Sequence, residues 1–287
     1  MPLPEDGAVH IAVRRLDQVD LSAAESLGAA VLERAREMRR PEDRQRFLAG
    51  RLAARALVAG MLQVPEDAVT ATAYCPECRR GNNGSHGEPR YFAGGEPVPL
   101  RISFSRSGGW MAAAAARTRI GVDLEDASAG AFSGPGLEDV MAGEAEKVAL
   151  AAVAAPDRPR LRAQLWVRKE ALLKATGRGL RVDPRSVDTV RPAAGGTALQ
   201  AYDVGPAQVG LPAGYVLAYA VEAAPDHQVV VLPSVFPASV AASGLTAAGK
   251  TAAGLAAAVQ AKAGAPDATV RVSAPAGDPD SGAAPLP

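Results

Sequence analysis

Apolar positions along the chain follow two spacings in turn, and the alternation outlines the fold. Residues 10–16, HIAVRRL, read as a first strand. Residues 21–40 take up helical spacing, with Asp20 or Ser22 available as N-cap. Pro41 opens a second helix in which Phe47, Leu48, Leu52, Ala56, Leu57 and Met61 form the apolar stripe. Arg44, Arg46, Arg51 and Arg55 lie between them. Residues 69–74 suit a strand, and 75–87, rich in Gly and Asn, a loop. From Leu100 the spacing returns to strands at 101–105 and 110–116. A tight connection at 117–119 leads into 120–125, which predicts an antiparallel pair. Helices follow at about 138–154 and 158–176, the second stopped by Gly177 and Gly179 with Pro184 shortly after. Residues 187–190, 198–204, 215–222 and 228–232 are candidate closing strands.

The order is strand, helices, strands, then the same again. This predicts an α+β fold in two lobes that meet near residue 117: an N-terminal lobe at 1–117 and a C-terminal lobe at 118–235. Residues 236–287 are mostly Ala, Gly, Ser and Pro with few large side chains, which suits a disordered tail. Composition changes the picture in three ways. The 62 alanines inflate an apolar fraction of 48 % with a residue that buries little surface. Arg outnumbers Lys 26 to 5, so each lysine is worth locating. Positive and negative charges balance at 31 each, which argues against a nucleic-acid binder. The start is acidic and no run approaches the ~20 apolar residues of a membrane span, so a cytoplasmic protein without a membrane partner is expected. Cys75 and Cys78 are too few for a disulfide framework. With His86 they fall short of the four ligands of a structural zinc site.

Three segments could carry chemistry. Asp123 and Glu125 sit two apart on a predicted strand, so both leave from one face while Val122 and Leu124 take the other. Carboxylates so close repel, and a divalent cation would remove that repulsion; an exposed polar face is the alternative. On the helix at 158–176, Trp166, Lys169, Glu170 and Lys174 share a broad face. That face is either a site or a surface Glu170–Lys174 pair. The third segment, Ser103-Phe104-Ser105-Arg106-Ser107-Gly108-Gly109, suits a phosphate-contacting turn or an ordinary Ser/Gly turn.

Taken in order, S-x-S-G-G, then I-G-V-D-L-E, then W-x-x-K-E-A-x-x-K-x-x-G-x-G-L resembles the 4'-phosphopantetheinyl transferase superfamily. The length and two-part organisation look like its larger, single-chain, two-lobed branch, the Sfp type. The resemblance runs from about Arg36 to Val221. It implies two similar lobes in a pseudo-twofold arrangement. It also implies an enzyme that moves the phosphopantetheine arm of coenzyme A onto a serine of an apo acyl or peptidyl carrier protein, releasing adenosine 3',5'-bisphosphate. By resemblance Asp123, Glu125 and Glu170 would hold Mg²⁺ and Glu170 could act as general base. Lys174 would steady the phosphate charge, with Lys169 a weaker phosphate contact. Ser105 and Arg106 would touch coenzyme A phosphates, and Arg46, with Arg51 beside it, the 3'-phosphate. Trp166 would be core or a wall of the pantetheine channel.

Two departures bear on these roles. Arg106 stands where the family commonly has His, and Glu88 where it often has Lys; the acid needs compensation from Arg79, Arg80 or Arg90. They motivate a second reading, a non-catalytic module that binds coenzyme A or a carrier protein. Glu144 and Glu146 offer a further acidic ligand or, the preferred reading, a solvated helix face. Larger members of the family tend to serve polyketide and nonribosomal peptide carriers. A site built between a chain's own lobes suits a monomer.

Overall fold

Strand β1 (Val9–Arg15) is buried over its first five residues, which is why it reads as a continuous apolar run. In the computed structural model, which describes residues 3–74, 87–190, 199–222, 227–232 and 269–271, it lies inside a five-stranded sheet. Helices α1 (Ala29–Arg36) and α2 (Pro41–Leu62) follow, then a meander of β2 (Val69–Tyr74), β3 (Glu88–Ala93) and β4 (Glu96–Pro97). β5 (Arg101–Ser107) and β6 (Trp110–Ala116) form a hairpin, and β6 also pairs with β1. The second half begins with β7 (Ile120–Asp126) and continues through α3 (Leu137–Met141), α4 (Glu144–Ala152) and α5 (Arg158–Thr176). It closes with β8 (Gln200–Val204) and β9 (Tyr215–Val221). The central strands run β1-β6-β5 in the first lobe and β7-β9-β8 in the second. Each lobe thus places its last strand between its first and its middle one, so the two repeat one topology.

Strand alternation decides the layers. Ala112, Ala114 and Ala116 of β6 join Val122 and Leu124 of β7 and Leu217 and Tyr219 of β9 in a core between the sheets. Ala113 and Ala115 face the other way, onto Ala53 and Leu57 of α2. On the far side of the second sheet, Val216 and Ala218 meet Ala163 and Val167 of α5. Small side chains keep these layers close, so the abundant alanine has a packing role here.

Several elements depart from the sequence reading. The helix expected at 21–40 is interrupted by Gly28 at φ +90°, which separates a 3₁₀ turn, Ala24–Leu27, from α1. Asp20 caps neither: it accepts from the backbone N–H and hydroxyl of Ser22. The helix expected at 138–154 is two, α3 and α4, with Ala142 and Gly143 between. Residues 187–190 form no strand; Thr189 spends its backbone N–H and hydroxyl on Glu146 instead. β6 and β7 are not a pair, because β5 and β1 already occupy both edges of β6. β10 (Gln228–Val231) does not close the second sheet but returns to the first, parallel to β1. Within the stretch read as tail, β11 (Thr269–Arg271) pairs antiparallel with β10.

Candidate active site

The site forms where α5 lies against β7. Gly121 makes this approach possible: a Cβ there would stand 1.9 Å from the Ala171 carbonyl oxygen and 2.7 Å from the Ala175 nitrogen. Ala171 and Ala175 complete the small-residue contact with Ala220. The approach brings Lys174 Nζ to 2.6 Å from Asp123 Oδ1 and 3.1 Å from the Val122 carbonyl. Asp123 is 3 % exposed, so the pair is largely removed from water. Ser105 donates to the same Asp123 oxygen at 2.6 Å, and Ser107 donates to Glu125 Oε2 at 2.8 Å.

Electrostatics mark the same spot. Burial, together with the nearby Asp123 charge, holds the Glu170 carboxyl above its ordinary range, with Lys174 pulling the other way. Burial also raises Glu125; repulsion from Asp123 and Glu170 adds to it, and Ser107 and Lys174 oppose it. Asp123 Oδ2 and Glu170 Oε1 are buried without a hydrogen-bond partner. Three neighbouring acids, two orphaned oxygens and one lysine leave a deficit of positive charge that suits a hard cation. As they stand, no three or more His, Cys, Asp or Glu side chains among the described residues form a group that could hold a metal ion. A Mg²⁺ ion takes few carboxylates and keeps waters or substrate phosphate.

Two hollows open nearby, one at Lys174 and one at Arg106. A cavity of about 360 Å³ reaches Lys174 between Phe104, Ile120, Leu173 and the start of β3 at Glu88 and Pro89. A groove of about 520 Å³ is lined by Arg39, Arg40, Arg46, Phe47 and Arg106, with Asp43 at its side. Arg106 lies across α2 at Gly50, where a Cβ would stand 2.6 Å from its Cδ, and donates to the Arg46 carbonyl at 3.1 Å. The Phe47 ring receives the guanidinium carbons of Arg51 at 5.2 Å and Arg106 at 5.4 Å. Burial lowers the pKa of both arginines, and Arg51 lowers that of Arg106 further.

The sequence expectations divide accordingly. Asp123, Glu125, Glu170 and Lys174 come together, and Arg46 and Arg106 share the groove. Arg51 sits behind Phe47, facing Phe104 as well. Ser105 serves Asp123. Lys169 is corrected: it is fully buried, pairs with Glu146 Oε2 at 2.7 Å, and donates to the carbonyls of Pro184 (2.7 Å) and Val187. It therefore has no face open to coenzyme A. Glu146 is neither ligand nor solvated. It accepts from the Gly143 N–H at the start of α4 and from Thr189. Trp166, partly buried on α5, packs against core residues of the second lobe and lines neither hollow. The acid at Glu88 is compensated by Arg101 at 2.6 Å, whereas Arg90 stacks on Tyr74. Arg79, Arg80, Cys75, Cys78 and His86 lie outside the described residues. Of the other α2 arginines, Arg44 binds the carbonyls of Ala35 and Met38, and buried Arg55 binds Ser26. The sequence reading missed Arg39 and Arg40, signalled only by the basic run before Pro41, and Ser107, signalled by its i, i+2 spacing from Ser105.

Fold and site define a two-lobed α+β protein with a buried acidic cluster and a basic groove. Residues 119–220 match the model of the ACPS family, the 4'-phosphopantetheinyl transferase superfamily. The chemistry of that superfamily is phosphopantetheine transfer. No curated relative matches the chain. No helix among the described residues is long and apolar enough to cross a membrane.

Proposed function

We propose that this protein transfers the 4'-phosphopantetheine group of coenzyme A to a serine hydroxyl of an apo acyl or peptidyl carrier protein, dependent on Mg²⁺, as a cytoplasmic monomer. The observation that carries the reading is the trio Asp123, Glu125 and Glu170 with Lys174 between a basic groove and an inter-lobe cavity. Asp123, Glu125 and Glu170 would hold the metal, which when bound neutralises charge on the phosphates being separated.

The chain's own residues supply the rest. Arg46 and Arg106, with Arg39 and Arg40, offer fixed cations for the 3'-phosphate end of coenzyme A. The inter-lobe cavity offers an apolar path for the pantetheine arm. Glu170, held above the ordinary carboxylate range, is suited to take the proton from the carrier serine. The serine oxygen then bonds to phosphorus as the bond to adenosine 3',5'-bisphosphate breaks. Lys174 holds the shifting phosphate charge. Incubation with coenzyme A, Mg²⁺ and a panel of apo carriers, polyketide and nonribosomal peptide carriers first, should add one phosphopantetheine to a carrier serine. Coenzyme A binding by calorimetry with no mass gain on any carrier would favour the non-catalytic module instead.

A further inference from the structure

β5 and β7 belong to different sheets and share no backbone ladder. What joins them is a row of hydroxyls. Ser103, Ser105 and Ser107 leave one face of β5 at every second residue, and all reach β7. Ser103 accepts from the Val122 N–H at 3.1 Å, and Ser105 donates to Asp123. Ser107 accepts from the Asp126 N–H at 3.1 Å and donates to Glu125 Oε2 at 2.8 Å.

These bonds are unequal in consequence. Asp123 is held by Lys174 whether or not Ser105 is present. The Glu125 side chain has one hydrogen bond among the described residues, the one from Ser107. Its side chain is longer, and it is repelled by Asp123 and Glu170. Without a tether it would swing toward water, where its charge is better solvated. Ser107 is a directed tether. A hydroxyl has a single proton, and because its oxygen already faces the Asp126 N–H, that proton goes to the carboxylate. The hydroxyl thus links β7 backbone and β7 side chain from the opposite lobe.

We propose that Ser107 is a positioning residue, which fixes the Glu125 carboxylate in the orientation that takes a divalent cation. The inference rests on the functional reading above only in treating Glu125 as a cation ligand. It is tested with the full chain in the presence of coenzyme A, with Mn²⁺ as probe and free Mn²⁺ read by electron paramagnetic resonance. Ser107→Ala should weaken Mn²⁺ binding by about 10–100-fold, the range for loss of a group that orients a ligand. Ser107→Thr, which keeps the hydroxyl, should restore it, and Ser105→Ala should cost less. In transfer, Ser107→Ala should need more Mg²⁺ and recover at high Mg²⁺ with an unchanged KM for coenzyme A; a merely structural defect would not recover in this way. If Ser107→Ala does not fold, Ser107→Cys, similar in size with a weak donor, should show an intermediate loss. Mn²⁺ binding by Ser107→Ala equal to wild type overturns the proposal, as does a wild-type chain that binds no Mn²⁺. Intact Mn²⁺ binding with no transfer to any carrier would remove the functional reading and leave this one standing.

Discussion

Gly121 of β7 and Ala171 of α5 meet backbone to backbone, with no room for even a methyl group between them. The distances from Asp123 and Glu125 on β7 to Glu170 and Lys174 on α5 depend on that contact. Gly121→Ala should push α5 outward and separate Lys174 from Asp123. Overpacking of this kind costs about 1–3 kcal/mol, and a 1 Å displacement at a site costs about 100-fold in rate. Urea unfolding and the transfer assay would read both effects; a Gly121→Ala protein with wild-type activity would sever the link between packing and site.

Glu170 should show opposite effects on stability and activity. Its pKa, like that of Glu125, is raised in the folded protein. The folded state therefore holds these protons more tightly than the unfolded chain. The stability they contribute is fully present below the ordinary carboxylate pKa of about 4 and is lost as pH rises through the raised folded values. Metal-free protein should weaken over that window, and Glu170→Gln should flatten the slope. The variant should be at least as stable as wild type at pH 7, yet lose about 100-fold or more in transfer. Urea midpoints across pH, without metal, check the first half; a lower midpoint for Glu170→Gln at pH 7 would contradict it.

Lys169 and Glu146 predict the reverse. Removing one member of a buried ion pair leaves the other charge stranded, at about 3–5 kcal/mol. Lys169→Met should lower thermal stability sharply, while the fraction that stays folded keeps its KM for coenzyme A. A raised KM with normal stability would return Lys169 to the substrate site.

Arg106 should act on one phosphate. A lost charge-assisted hydrogen bond is worth about 1.5–3 kcal/mol, so Arg106→Ala should raise the KM for coenzyme A by roughly 10–150-fold. With 3'-dephospho-coenzyme A, wild type and variant should perform alike. An equal penalty on both substrates would place Arg106 against another part of the molecule.

Much of this was legible in the sequence because it rests on local rules. Period-2 spacing put Asp123 and Glu125 on one face, opposite Val122 and Leu124, and the structure keeps them there. Helical spacing set Glu170 and Lys174 one turn apart, and α5 runs over the predicted residues. What escaped was long-range. Lys169 shares the motif with Glu170, and spacing cannot tell that its ammonium meets Glu146 from another helix. The β6–β7 hairpin was a reasonable inference from a three-residue connection, but that connection carries the chain from one sheet to the other. The hydroxyl row of β5 reads as a turn because Ser and Gly dominate it, whereas only Gly108, at φ +56°, and Gly109 belong to the turn.

The return of β10 to β1 sets an order of events during synthesis. A growing chain can finish its second sheet once residue 221 has emerged, but the open edge of β1 waits for residues 228–231 and the last strand of the first sheet for 269–271. The part of the protein made first is therefore among the last to be completed. Until then one edge of β1 stays open to other chains. The cost of that delay falls on the nascent protein, whose open strand edge is exposed to other unfinished chains.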